Sequence, residues 1–280
     1  MTPCAIAAGS TLGALQIKPL LGPLENRMLL CHVLGLSRVQ LITQSERVLS
    51  IDEAAQLSNL IERRWNGEPM AYLVGQREFY GLPFHVNAAV LIPRPDTELL
   101  VDLALDRLPQ QGLVLDMGTG SGAIAVALAH TRHDAQVTAL DVSAEALDVA
   151  RHNAALNGVS LNLIESNWYD ALGQHEQAQR FDVIVANPPY IASGDAHLSQ
   201  GDLRFEPIIA LTDHLDGLSA LRRIVQGAAR HLAPHGWLLL EHGYDQSEAV
   251  RALLNDGGYF EVQSWQDLAG IARVSGGRAG

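Results

Sequence analysis

The chain has 280 residues, of which 48% are hydrophobic and 18% are charged, so it can bury the core of one large domain or of two ordinary ones. Its 31 acidic and 19 basic residues give a net charge of −12, which argues against stable binding to bare nucleic acid through phosphate contacts. No apolar stretch approaches the ~20 residues that a membrane span requires, so we expect no membrane association.

The cysteine content is typical of a reducing compartment. Cys4 and Cys31 do not form a C-x-x-C pair, so the sequence predicts neither a disulfide framework nor a zinc site. The 11 histidines show no ligand spacing, and we expect no metal. The first residues lack a basic region ahead of their apolar ones, which makes a poor signal peptide and favours a cytoplasmic location.

The first quarter of the chain is predicted to be helical. LENRMLLCHVLGL (24–36) places its apolar residues at helical spacing and has Gly35 near its end. Ser50 precedes a second helix, with Glu53 three residues later as the partner in a capping box. No strand-like alternation competes with this pattern, so we expect a small all-helical domain over residues 1–73.

An aromatic segment follows. LVGQREFYGLPFHVN (73–87) has Gly81-Leu82-Pro83 in its middle, which predicts two short strands around a turn. We therefore expect a β-hairpin linker over residues 74–90.

The proline-rich stretch LIPRPDTE then leads into a helix predicted over 97–108, capped by Asp96 or Thr97. Arg94 and Asp96 are expected either in a helix cap with a surface ion pair or in a functional contact. Glu98 fits either a position near a cofactor amine or the first turn of the helix, where the helix dipole favours a carboxylate.

From residue 112 onward, apolar runs alternate with amphipathic segments. Strands are predicted at 113–117, 136–141, 161–165, 181–186 and 236–241, and helices at 122–131, 143–157, 217–233 and 245–256. This alternation indicates an α/β sheet with helices on both faces. The last stretch, from Tyr259 to Arg278, is expected to add one or two edge strands.

A glycine-rich turn joins the first of these strands to the helix after it, in LDMGTGSGAIAVALA. Gly118, Gly120 and Gly122 permit positive φ and leave room for a ligand, and the helix behind them offers unpaired N–H groups. Asp141 ends the next strand, 19 residues after Gly122, where a carboxylate can accept from both hydroxyls of a ribose. The pattern favours an adenosine-bearing cofactor over a turn without a ligand, but leaves nicotinamide cofactors and S-adenosylmethionine open.

ANPPYI (186–191) follows the strand predicted at 181–186, and its two prolines must end that strand in a rigid turn. The side-chain carbonyl of Asn187 and the backbone carbonyl of Pro188 can accept both hydrogens of one planar –NH₂, and Tyr190 can stack on its flat face. Such a site orients a weakly nucleophilic amide or base amine toward a sulfonium methyl and stabilises the charge developing on nitrogen. The alternative is that the motif only ends the strand and has no role in a reaction.

GTGSG together with NPPY resembles the amino-methyltransferases that use S-adenosylmethionine, among them DNA, ribosomal RNA and protein glutamine enzymes. Further blocks are similar to the peptide chain release factor N5-glutamine methyltransferases of the HemK type. These blocks are GEPMAYLVGQREFYGLPF (67–84), LIPRPDTE (91–98), SNWYDAL (166–172), GDLRFEP (201–207), LLLEHG (238–243) and DLAGIARV (267–274). They occur in order over most of the chain.

The resemblance implies a Rossmann-like S-adenosylmethionine-dependent methyltransferase domain over 91–280, behind a helical domain that binds the release factor. The implied reaction is methylation of the side-chain amide nitrogen (N5) of the glutamine in the Gly-Gly-Gln motif of class 1 peptide chain release factors. A DNA or RNA amino-methyltransferase of the adenine N6 type would use the same NPPY chemistry. The acidic net charge argues against that alternative, because base flipping calls for a basic face. An intact NPPY argues against a catalytically silent cofactor-binding subunit.

The resemblance also implies the roles of individual residues. The cofactor-binding residues would be Gly118, Thr119, Gly120, Ser121, Gly122, Asp141, Trp168 and Asn187. The substrate-binding residues would be Asn187, Pro188, Pro189 and Tyr190, of which Asn187, Pro188 and Tyr190 would be catalytic. Arg204, Phe205 and Glu206 follow this motif at a distance suited to a flap over the substrate.

Overall fold

The structure, a computed structural model, describes residues 6–173 and 180–280. Cys4, on which part of the cysteine prediction depends, lies outside the described residues. The chain divides into two units, Met1–Gly75 and Gln76–Gly280. Among the helices of the described residues, none combines the length and the apolar character that crossing a bilayer requires.

The described part of the first unit is helical, apart from one isolated antiparallel β-bridge between Thr11 and Val48. Its helices are α1 (Leu12–Ile17), α2 (Pro23–Leu34), α3 (Arg38–Thr43), α4 (Ile51–Trp65) and α5 (Met70–Val74). The two predicted helices are confirmed as α2 and α4. The three short ones were missed, because five or six residues carry too little periodicity to be recognised.

The predicted helix signals act as expected in this unit. The Ser50 hydroxyl accepts from the backbone N–H of Glu53, whose carboxylate accepts from the backbone N–H of Ser50 at 2.8 Å, which completes the capping box. Gly35 ends α2 in the left-handed conformation with φ 63°. The apolar faces of the helices, with Leu29, Leu57 and other buried side chains, form one core.

The second unit opens with the predicted hairpin, formed by β1 (Gln76–Phe79) and β2 (Leu82–His85). Its turn lies at Tyr80-Gly81, where both residues have positive φ, and not over the predicted Gly81-Leu82-Pro83. A two-residue turn with both φ positive matches the right-handed twist of the strands. Pro83 instead belongs to β2 and pairs opposite Glu78, which is possible because each strand of a two-stranded sheet has a free edge.

Most of the remaining α-helices and strands alternate along the chain. These elements are α6 (Glu98–Arg107), β3 (Leu113–Met117), α7 (Ala123–Thr131), β4 (Gln136–Asp141), α8 (Ala144–Leu156), β5 (Asn162–Glu165), β6 (Phe181–Ala186), α9 (Ile208–Leu211), α10 (Ser219–Ala228), β7 (Leu232–Glu241), α11 (Ser247–Asp256), β8 (Phe260–Gln266) and β9 (Ala272–Arg278). The helix predicted over 217–233 was too long, because Pro234 and Gly236 hide the first half of β7 from strand patterns.

The large sheet has seven strands among the described residues, in the order β5-β4-β3-β6-β7-β9-β8. Neighbouring strands pair in parallel from β5 to β7, whereas β9 is antiparallel to both of its neighbours. This is the predicted Rossmann-like α/β arrangement. The last stretch, predicted to add one or two edge strands, forms β8 at the edge of the sheet and β9 between β7 and β8.

Successive residues of a strand point to opposite faces of the sheet. Val114 and Val185 face a core that includes residues of α6 and α7, whereas Leu115 and Ile184 face a second core with α10 and α11. Helices therefore cover both faces, and the strand ends are left as the place for a site.

Asn153 of α8 joins the hairpin to the glycine-rich loop. Its side-chain oxygen accepts from the backbone N–H of His85 at 2.7 Å, and its Nδ2 donates to the carbonyls of His85 (2.9 Å) and Ser121 (2.8 Å). The residue is fully buried, so water cannot replace these bonds.

We expect Asn153→Leu to lower the free energy of unfolding by about 2–3 kcal/mol, because it removes three buried hydrogen bonds and leaves backbone groups unsatisfied. Urea denaturation measures this loss. Asn162→Leu, on the exposed edge strand β5, is the control and should change stability by less than about 0.5 kcal/mol. Equal losses in both variants would contradict the bridging role of Asn153.

Candidate active site

The carboxyl ends of the central strands lie at one level. Met117 of β3 pairs with Leu140 of β4 on one side and with Ala186 of β6 on the other. The residues that follow these three, Gly118, Asp141 and Asn187, therefore meet at one edge of the sheet. A cavity of about 420 Å³ opens there.

The cavity collects most of the predicted site residues. The predicted residues that line it are Gly118, Thr119, Gly120, Ser121, Asp141, Trp168, Asn187 and Pro189. Gly122, Pro188 and Tyr190 lie outside this lining. Gly122 is instead a packing residue, because a Cβ there would lie 3.1 Å from the Cβ of Ala150 in α8.

The glycine-rich loop is built around backbone conformations that glycine favours. Gly118, Gly120 and Gly122 have φ of 72°, 54° and 79°. The N–H groups of Gly118 and Thr119 both donate to the carbonyl of Leu140, and that of Gly120 donates to Asp141. The N–H groups of these three loop residues are therefore paired within the chain, ahead of the helix for which unpaired N–H groups are predicted. A ligand can approach the backbone closely at Gly120, because the space around the position of a Cβ there is open to 4 Å.

Asp141 braces this loop. Its Oδ2 accepts from the backbone N–H of Gly120 at 2.8 Å, and its Oδ1 accepts from that of Ser143 at 2.9 Å. Burial raises the pKa of this carboxyl, and the hydrogen bonds from Ser143 and Gly120 oppose the rise. The carboxylate is thus held rigidly at the cavity wall.

A second carboxyl group lies beneath the loop. Asp116 is fully buried, and its Oδ2 accepts from the hydroxyl of Thr119 at 2.6 Å. Burial raises its pKa to about 7, against the lowering effect of the Thr119 hydroxyl. Its other oxygen, Oδ1, has no partner among the described residues. Asp116 does not line the cavity, so it acts on the site through Thr119.

Trp168 lies on the other side of Gly118. Its backbone has φ 56°, which is unusual for a large residue, and Ser166 holds this conformation by donating from its hydroxyl to the Trp168 carbonyl at 2.7 Å. A Cβ added to Gly118 would lie 4.0 Å from the indole ring. The ring and the glycine therefore bound a slot that a larger residue at position 118 would narrow.

Residues 187–190 form a rigid turn at the end of β6, which we call the elbow. Asn187 donates from Nδ2 to the hydroxyl oxygen of Thr97 at 3.2 Å, which leaves its Oδ1 available as an acceptor at the cavity. Thr97 occupies the N-cap position of α6, in agreement with the prediction of Asp96 or Thr97, but its side chain makes no capping hydrogen bond. The Thr97 side chain serves Asn187 instead.

The far end of the elbow is anchored through Tyr190. Its hydroxyl donates to Oε1 of Glu241 at 3.4 Å, and burial raises the pKa of the Tyr190 phenol. Glu241 is itself buried, which raises its pKa to about 7. Sequence patterns did not indicate Glu241 as a partner of the elbow, because the two residues lie 51 positions apart.

The segment after the elbow covers one side of the cavity. Pro207, Ile209, Ala210 and His214 are among the lining residues. Glu206, just ahead of them, is buried and accepts from the guanidinium of Arg94 at 2.5 Å. Arg94 is therefore not in a surface pair with Asp96, which lies 3.3 Å from Arg273.

Three further residues from the sequence analysis take other positions. Arg204 places its guanidinium 4.9 Å from the ring centre of Phe205, and neither of them lines the cavity. Glu98 accepts from the backbone N–H of Tyr80 at 2.9 Å, so its carboxylate supports the hairpin turn.

The residues that line the cavity fit an adenosine-bearing ligand. The cavity volume lies in the range of small-molecule sites. Its wall combines an anchored carboxylate (Asp141), an indole face (Trp168) and a backbone loop with room at Gly120. In residues 6–173 and 180–280, no cluster of three His, Cys, Asp or Glu side chains could hold a metal ion.

Two family models match the chain. The Methyltransferase small domain matches residues 95–202, and the PrmC N-terminal domain matches residues 22–75. Among solved structures, the chain is similar to a methyltransferase from Pyrococcus furiosus, with a TM-score of 0.53, 22% identity, and coverage of 80% of this chain and 99% of that one. This last likeness concerns the fold alone.

Full-length relatives are much closer in sequence. The release factor glutamine methyltransferase of Burkholderia pseudomallei (strain K96243) is 54% identical, with 92% of each chain covered. That of Neisseria gonorrhoeae (strain ATCC 700825 / FA 1090) is 51% identical, with 91% of this chain and 93% of the relative covered. The resemblance drawn from the sequence blocks is thereby confirmed, and the chain belongs to the release factor glutamine methyltransferase family.

Proposed function

We propose that this protein transfers a methyl group from S-adenosylmethionine to the side-chain amide nitrogen of the glutamine in the Gly-Gly-Gln motif of class 1 release factors. One observation supports this more than any other. Asn187 lines the cavity, and its Nδ2 is occupied by Thr97, so its free acceptor Oδ1 is fixed at the mouth of the elbow. An acceptor held there matches the N–H of a carboxamide.

S-adenosylmethionine supplies an electrophilic methyl group on a sulfonium. In the proposed complex, the loop from Gly118 to Ser121 holds the methionine part. Asp141 accepts from the ribose hydroxyls, and Trp168 packs beside the adenine. Asp141 can do so while bracing the loop, because each carboxylate oxygen accepts more than one hydrogen bond.

The residues of the elbow act on the substrate by orientation. Asn187 Oδ1 and the Pro188 carbonyl accept the two N–H groups of the glutamine amide, which turns its nitrogen toward the methyl group. These acceptors also stabilise positive charge as it develops on nitrogen. The proposal needs no general base before transfer, so Asp116 and Glu241 have no such role in it. The methyl group leaves S-adenosylmethionine as S-adenosylhomocysteine forms, and the amide nitrogen loses its extra proton to solvent afterwards.

We also propose how the chain is divided between recognition and chemistry. The helical domain (1–73) binds the release factor, the hairpin (74–90) links the two parts, and residues 91–280 carry out the transfer. The proposed partner acts in translation termination, so the proposed location is the cytoplasm.

The decisive assay is transfer of labelled methyl from S-adenosylmethionine to purified release factor. We expect label on the wild-type factor and none on a factor whose Gly-Gly-Gln glutamine is replaced by alanine. DNA serves as the third substrate. Label on DNA with none on the factor would overturn the proposed function in favour of a nucleic-acid amino-methyltransferase.

Asn187→Ala should reduce turnover by about 10²–10³-fold, the cost of removing one preorganised transition-state acceptor. Cofactor affinity should stay within about threefold, because the glycine loop and Asp141 remain. Steady-state kinetics and calorimetric titration separate the two effects. Asn162→Ala on the exposed edge strand is the matched control, and wild-type turnover in the Asn187 variant would refute the role of the elbow.

Asp141→Ala should weaken S-adenosylmethionine binding by about 10–100-fold, because it removes a charged acceptor that also braces Gly120. Isothermal titration measures the affinity. Asp134→Ala is a suitable control, since Asp134 also accepts from a backbone N–H (that of Gln111) but lies on the surface. An unchanged affinity in the Asp141 variant would exclude it from the cofactor site.

A further inference from the structure

We propose that Gln246 is a positioning residue of the methyl-transfer site, which holds the elbow in its productive geometry through its side-chain amide. This inference rests on the proposed function for its kinetic consequences. The Gln246 side chain also links three separate segments of the chain, which we call the clamp. The clamp can be tested without measuring methyl transfer.

The Gln246 side chain makes three hydrogen bonds to backbone groups. Its Oε1 accepts from the N–H of Gly243 at 2.8 Å, and its Nε2 donates to the carbonyls of Tyr190 (3.0 Å) and Gly217 (3.3 Å). It thus joins the turn after β7 to the end of the elbow and to the segment that leads into α10. A side chain with a donor end and an acceptor end is required, and only an amide combines both in this shape.

The two prolines make this anchor effective. Pro188 and Pro189 have restricted φ, so the elbow behaves as a stiff element between its ends. Thr97 holds the first end through Asn187, and Gln246 holds the last end through the Tyr190 carbonyl. With both ends fixed, the direction of the Pro188 carbonyl is determined, although no side chain of residues 6–173 and 180–280 donates to that carbonyl.

A directed chain of hydrogen bonds supports Gln246 from behind. Arg251 donates to the Ser264 hydroxyl at 2.9 Å, Ser264 and Ser275 are 2.7 Å apart, and Ser275 lies 2.8 Å from Nε2 of His242. His242 Nδ1 lies 2.9 Å from the Gly243 carbonyl.

The directions of these hydrogen bonds follow from the charge state of His242 and from one end of the chain. Burial lowers the pKa of His242, which favours the neutral imidazole. The Gly243 carbonyl can only accept, so Nδ1 carries the proton and donates to it, and Nε2 is the acceptor. Ser275 therefore donates to His242 Nε2, and Ser264 donates to Ser275 while it accepts from Arg251. Gly243, whose carbonyl accepts this last hydrogen bond, also donates its own N–H to Gln246.

Gly217 shows how closely the clamp is packed. A Cβ at this position would lie 2.4 Å from the Tyr190 carbonyl oxygen and 2.9 Å from Gln246 Nε2. Gly217 also has φ 77°, a conformation that favours glycine. The clamp therefore requires both an amide at 246 and the absence of a side chain at 217.

The test uses the full chain with two replacements of similar size. Gln246→Met removes both polar ends, whereas Gln246→Glu retains an acceptor for Gly243 but places a carboxylate oxygen opposite two carbonyls. We expect kcat for methyl transfer to fall by about 10-fold in the first variant and about 100-fold in the second, with cofactor Kd within about threefold of wild type. Asn157→Leu is the matched control, because Asn157 also donates to two backbone carbonyls, those of Pro83 and Asn153, but away from the elbow.

Amide hydrogen exchange provides a readout that does not depend on activity. The N–H groups of Ile191 and Ser193, which donate to Leu211 and Leu215, should exchange about 10-fold faster in both Gln246 variants and at the wild-type rate in the control. Wild-type kcat in Gln246→Met, unchanged exchange, or a loss of cofactor affinity as large as the loss of kcat would each overturn the proposal.

If the Gln246 variants do not fold, Gly217→Ala puts the same contact to the test. It should lower kcat and accelerate the same two amides, and a wild-type result in both would overturn the clamp. Failure of the wild-type protein to methylate release factor would instead count against the proposed function, while the exchange data would still decide on the clamp.

Discussion

The parallel pairing of β3 with β4 and β6 is the constraint on which the site depends. Because Met117, Leu140 and Ala186 lie side by side, the chain leaves each strand at the same level and the next residues enter one crevice. Each of these strands is buried on both faces, so a shift in register would expose apolar side chains on two sides. The burial of the sheet thus determines where Gly118, Asp141 and Asn187 lie.

The glycine-rich loop and the elbow, which bound that crevice, are held by polar side chains as well as by packing. Asp141 holds the glycine loop, Thr97 holds Asn187, and Glu241 contacts Tyr190. Hydrogen bonds of this kind give direction as well as energy, which apolar contacts do not. They suit a site whose chemistry, as proposed, consists of orienting a planar amide.

Sequence patterns predicted the strands and helices well where the apolar pattern was long or where characteristic turn residues marked its ends. The strands at 113–117, 136–141 and 181–186 begin and end at the predicted residues, since continuous apolar runs bounded by glycine, aspartate or proline leave little choice. The first half of β7 and the short helices of the first unit were missed because they carry glycine and proline or too few residues. Whether such a segment forms a helix or a strand depends on its tertiary contacts, which local sequence patterns do not show.

The same limit applies to the site. Glycines, a strand-end Asp and NPPY could be recognised because each acts through its own local backbone. Thr97, Glu241 and Glu206 act through partners 90, 51 and 112 positions away, and no local pattern encodes such a pairing. Thr97 was recognised only as a helix cap, since its position at the start of α6 satisfies that pattern.

The Arg94–Glu206 pair shows why such distant contacts matter for this site. Glu206 is buried, and a buried ion pair adds little net stability because desolvation offsets much of the attraction. Its value lies in position: the Arg94 guanidinium donates to Oε1 of Glu206, so the segment that begins at Pro207 starts from a defined point. Pro207, Ile209 and Ala210 form part of the cavity wall, so this pair helps to position a surface that the carboxyl ends of the strands leave open.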